Sequence, residues 1–176
     1  MVAKKKAAFG RSYDYTAQVP ISKKSAEQAM HEIWDEYSNR LRTGSHQGSY
    51  SRTKSESAKY FLAREIYALG TYIYRLPPER WSTKDIVAGS RAQINRPDKV
   101  GHVFHDLLMS VYQDDMQIDR RERWQVAQEL EYARRHDVPV ELVCGFLLQS
   151  GPRSEVPKKL KSGYIEPGFP KPTSED

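Results

Sequence analysis

The sequence has one cysteine in 176 residues, and Cys144 alone can form neither an internal disulfide nor a paired-thiolate metal site. It sits in the apolar run Leu142, Val143, Cys144, Gly145, Phe146 and Leu147, and the neighbouring charge, Glu141, opposes a thiolate. A buried, inert thiol in a reducing, cytoplasmic setting is expected. Long apolar runs are also missing. None approaches the ~20 residues that cross a bilayer, and the opening MVAKKKAAFG lacks the apolar stretch of a secretory signal. A soluble protein without membrane contact is expected. The chain further lacks a P-loop pattern, a paired CxxC and any internal repeat, so no motif assigns a catalytic residue or a cofactor.

What the chain has is basic charge, unevenly spread. Lys and Arg number 28 against 23 Asp and Glu, for a net charge of +5 and an isoelectric point of about 9.2. Residues 1–24 hold six bases against one acid, and residues 38–64 again hold six against one. Residues 113–141 reverse the balance, with eight acids against five bases. Such lopsidedness suits a protein that meets a polyanion with one surface and a protein partner with another.

A length of 176 residues fits one domain with tails. Residues 1–21 carry a lysine triplet and no helical periodicity, which predicts a flexible basic arm. Ser25 and Gln28 have capping-box spacing, and Ala26, Met30, Ile33, Tyr37 and Leu41 mark one face of a helix ending near Arg42. A second box, Thr53 and Glu56, opens a helix carrying Phe61, Leu62, Ile66, Leu69 and Ile73, which Pro77 and Pro78 stop. A short helix is predicted over 82–89. Another starts at Pro97 with the face Val100, Val103, Phe104, Leu107, Leu108 and Val111. Asp119 caps a fifth helix through Trp124, Ala127, Leu130 and Ala133 to His136, and Pro139 opens a sixth ending near Ser150. Residues 152–176, with five prolines and five bases, read as a disordered tail. The expectation is an all-α bundle of five to six helices over 22–151.

Three segments invite a chemical reading. The loop RLRTGSHQGSYSRTK, residues 40–54, offers Arg40, Arg42, Arg52 and Lys54 to phosphates, with Lys59 just beyond, and His46 and Tyr50 to an unpaired base. The helices at 82–89 and 97–112 have the general shape of a helix-turn-helix. That resemblance would place Arg91, Gln93, Asn95, Arg96, Lys99 and His102 near base edges, although the connection of about seven residues exceeds the usual turn of roughly three or four. The alternating signs of DRRERWQVAQELEYARRHD read as a solvated face, or as a partner-facing helix with Trp124, Arg120 and Glu131 in the contact.

His102, His105 and Asp106 fall together in HVFHD. The His105-Asp106 pair resembles the central dipeptide of the HD-type metal-dependent phosphohydrolases, a helical family. The resemblance implies a further histidine and aspartate, for which His31 and Asp114 or Asp115 are available. Only the dipeptide matches, and histidines flanking an amphipathic helix are commoner as boundary residues, so no metal is expected. The spacings Arg40 to His46 and Arg96 to His102 resemble the motif of helical HEPN-type ribonucleases, a short and common pattern. The leading expectation is a non-enzymatic accessory or regulatory protein that binds DNA or RNA. A protein-interaction module, adaptor or inhibitor, is the alternative, and a metal-dependent phosphohydrolase comes third.

Overall fold

The segment AKYFLAREIYALGTYIY is apolar on nearly every side, and a helix of that kind has to be surrounded. In the computed structural model, which describes residues 22–43, 57–76, 102–111 and 120–169, it is the central helix. The described residues form α1 (Lys23–Thr43), α2 (Ala58–Tyr74), α3 (Val103–Val111), α4 (Arg120–Arg135), α5 (Val143–Gln149) and α6 (Val156–Ser162), with one 3-10 turn at Val140–Leu142. No strand occurs among them, so the expected all-α bundle is the fold. α1, α3, α4, α5 and the 3-10 turn all pack on α2, while α6 docks on α4.

Local chemistry sets the ends of these helices. Ser57, in extended backbone at φ −66°, ψ 153°, accepts from the Tyr60 N–H and caps α2, so the helix does not run back to Thr53. Thr53 and Glu56 lie outside the described residues. Ser22, rather than Ser25, caps α1, its Oγ accepting from the Ser25 N–H at 3.1 Å, and Gln28 binds Glu32 instead. Ala26, Met30, Ile33 and Tyr37 are buried as their spacing predicts, whereas Leu41, 40% exposed, has left the core. α3 starts later than Pro97 implies. His102 precedes it, and the His102 carbonyl accepts the N–H of Asp106 at 3.0 Å. The predicted helix at 82–89 and residues 97–101 lie outside the described residues, as does the arm 1–21.

The expected boundary at 151 is wrong. Residues 152–169 continue the domain: Pro157 stands in the first turn of α6, Gly163 ends it at φ 67°, and Val156 and Leu160 enter the core. His136 fastens this segment. Its Nε2 accepts the Glu166 N–H at 2.9 Å, so the proton is on Nδ1, which donates to the Tyr132 carbonyl at 2.7 Å. Lys159 holds the Glu166 carboxylate at 2.5 Å and the Ser150 carbonyl at 2.8 Å, and Phe169 meets Phe146 edge-on at 5.2 Å. Two apolar residues one turn apart are too few to register as periodicity in a proline- and lysine-rich stretch.

A close approach joins α2 to α3. Phe104, fully buried, stacks on Tyr67 at 5.9 Å and tilts against Tyr74 at 5.7 Å. It reaches α2 because Gly70 has no side chain, and a Cβ there would overlap the Phe104 ring at Cε1 and Cδ1. Gly145, in α5, has open space around its Cβ position. Gly70→Ala should therefore cost about 1–3 kcal/mol through overpacking, while Gly145→Ala should gain up to about 1 kcal/mol from helix propensity. Urea unfolding of both variants checks the pair, and an equal gain at Gly70 would contradict the Phe104 seat.

Candidate nucleic-acid interface

α4, RRERWQVAQELEYARR, carries five arginines and three glutamates, and folding sorts them. Two of the three carboxylates turn inward. Glu129 and Glu131 are 6% and 7% exposed. Arg153, from the C-terminal segment, binds Glu129 through Nε at 2.8 Å. Arg134 binds both oxygens of Glu131 at 2.9 and 2.8 Å, Arg135 adds a third contact at 3.1 Å, and the Tyr74 hydroxyl donates to it at 3.4 Å. Glu122, half-buried, takes Lys59 at 3.0 Å. The exposed residues of α4 are then Arg120, Arg121, Trp124 and Arg135.

Burial, with the nearby charge of Glu122, raises the proton affinity of Glu129, partly offset by Arg153. At Glu131 burial pushes the same way, but the hydrogen bonds and charge of Arg134, with Arg135, outweigh it and hold the carboxyl below its ordinary range. Glu131, predicted in a partner contact with Trp124 and Arg120, is thus buried, whereas those two are exposed. By helical geometry it lies only about 20° from Trp124 around the axis. Its burial depends on Tyr74 and two arginines rather than on its position in the repeat.

Trp124 is 48% exposed and is held from within the fold by two imidazoles, His102 at 5.8 Å and His105 at 5.4 Å, both edge-on. His102 also meets Phe104 at 6.0 Å, and both its ring nitrogens are buried without a hydrogen-bond partner. Burial lowers its proton affinity, opposed by the charge of Glu131. The two histidines thus serve as aromatic packing for an indole. Among the described residues, no three His, Cys, Asp or Glu side chains converge as metal ligands.

The other predicted contacts are dispersed. Arg40 is engaged with Glu36 at 2.7 Å and stacked over the Phe61 ring at 4.3 Å, so its guanidinium is committed to the fold. Arg42 is exposed at the end of α1, and Lys59 lines a cleft of about 320 Å³ with Tyr60, Leu148 and Arg153. His46, Tyr50, Arg52, Lys54, Arg91, Gln93, Asn95, Arg96 and Lys99 lie outside the described residues. The structure does bring Trp124 and Arg120 onto one exposed stripe, and it adds Arg121 and Arg135 to it. Beside the stripe, the Arg134 guanidinium lies 4.2 Å over the ring of Tyr74, which is 38% exposed. The repeat of four residues from Arg120 to Trp124 was available in the sequence, but the inward turn of Glu131 was not. No protein-family model, no curated protein and no solved structure matches the chain.

His102 gives this site a pH dependence. Its folded pKa lies below the free value of 6.5, so its contribution to stability is complete above that pH and is lost as pH falls through the folded value. His102→Phe keeps a ring against Trp124 and removes two unpartnered nitrogens. It should gain about 1 kcal/mol at pH 7 and show a smaller loss of melting temperature between pH 7 and 5. Parallel slopes in wild type and variant would contradict the burial of His102.

Proposed function

We propose that the protein binds nucleic acid without catalysing a reaction on it, as an accessory or regulatory factor whose phosphate contacts come from the outward stripe of α4. The observation that carries this reading is the sorting of that helix: three arginines and a tryptophan face solvent, while Glu129 and Glu131 are buried against arginines and Glu122 is half-buried and paired with Lys59. Arg120, Arg121 and Arg123 also stand at the positive end of the helix dipole, where bases cost stability and acids would help it. A local choice made against stability fits a binding role. The basic segments 1–24 and 38–64 extend the positive charge available to a polyanion, and Arg42 is one of their exposed described residues.

The acidic docking helix expected at 119–137 loses two of its acids, Glu129 and Glu131, to the interior, while Glu122 is half-buried and Asp137 is exposed. A protein-interaction module remains the second reading, favoured by the exposed leucines Leu142 and Leu148, at 61% and 45%.

Counterion release makes the proposal measurable. Affinity for DNA or RNA, followed by fluorescence anisotropy, should fall steeply from 50 to 200 mM salt, with a log–log slope of about −0.9 per duplex phosphate neutralised. Changing both Arg120 and Arg121 to alanine should reduce the magnitude of that slope by about 2 while leaving the melting temperature unchanged or raised. Absence of binding to either nucleic acid at low salt would overturn the proposal.

A further inference from the structure

We infer that Trp124 is a stacking platform for an unpaired base, so that the ligand of the α4 stripe is single-stranded nucleic acid in preference to duplex. This rests on the nucleic-acid reading above and specifies its substrate class.

The indole combines exposure with fixation. It is 48% exposed, yet His102 and His105 pack edge-on against it, and His105 is itself 6% exposed. An aromatic ring held by packing yet half-exposed offers contact area at little conformational cost. Arg120 lies one turn before it, about 6 Å along the axis, and Arg135 about 16 Å beyond it. The ring is thus bracketed by charges that suit a backbone passing along the helix. A flexible single strand can place phosphates at both ends while turning one base onto the ring.

The same surface is poorly made for reading a duplex. Base edges in the major groove are read by bidentate donors and acceptors, chiefly Arg, Asn and Gln. The middle of the stripe instead presents a bulky indole, which has one donor and no acceptor. Every base has a π-face, so stacking on Trp124 is tolerant of sequence. A protein partner anchored on Trp124 would use the same exposed ring, but the arginines around it and the absence of an exposed acid on α4 complement a polyanion.

The full chain, labelled with 5-fluorotryptophan, has three tryptophans, and Trp→Phe variants assign the fluorine resonances. Titration at low salt uses an unpaired oligothymidine, an unpaired oligouridine and a DNA duplex of equal length. The expected result is a shift of the Trp124 resonance with the single strands and tighter binding of them than of the duplex. Trp124→Ala should weaken single-strand binding about tenfold with the salt slope unchanged, and Trp124→Phe should restore most of the affinity. Duplex binding equal to or tighter than single-strand binding, with the Trp124 resonance unmoved, would overturn the inference and leave the arginine contacts standing. No binding of any oligonucleotide would instead remove the nucleic-acid reading itself, and this inference with it.

Discussion

A helix that is apolar on nearly every side has to be covered over most of its surface, and the other described elements are arranged by that demand on α2. α1, α3, α4, α5 and the 3-10 turn all pack against it. α4 is in turn pressed between α2 and α3 on one flank and α5 and α6 on another, so its second half is buried almost throughout, from Glu129 to Ala133. Among its residues only Arg120, Arg121, Trp124 and Arg135 are exposed. These side chains are a small selection from a helix that is rich in both signs of charge.

Charge is what the packing had to accommodate. Burying a carboxylate without a partner would cost several kcal/mol, roughly, before any compensation. Each buried glutamate of α4 is accordingly bound to arginine. Glu131 draws on Arg134 and Arg135 of its own helix, and Glu129 draws on Arg153, which arrives with the C-terminal segment. The fold of residues 152–169 and the exterior of α4 are therefore linked. The clasp formed by His136, Lys159 and Glu166 keeps in place the segment that neutralises Glu129. The arginines and Trp124 at the surface are the complement of that interior arrangement.

Much of the framework was legible because burial repeats with the helical period. Ala26, Met30, Ile33 and Tyr37, and then Phe104, Leu107 and Leu108, announce their helices directly, and all of them are buried. Cys144 was likewise readable from its apolar neighbours and is buried beside the Tyr60 carbonyl. Features that depend on a distant partner were not legible. Val156 and Leu160 form a stripe only two residues long, so α6 looked like tail. Glu131 sits at an outward angle and is drawn in by Tyr74, which is far away in sequence. The role of Gly70 exists only in relation to Phe104 on another helix. The separation of arginine from glutamate on α4 is of this second kind, and so the candidate surface was visible as residue types but not as a surface.

The sorting of α4 into an inner carboxylate side and an outer arginine and tryptophan side is tested most directly by amide and indole chemical-shift mapping of the isotopically labelled full chain. An unpaired oligonucleotide is titrated in at low salt. The largest changes should fall on Arg120, Arg121, the Trp124 indole N–H and Arg135, with little change along α5. Binding that leaves all four α4 positions unperturbed would contradict the assignment of this face.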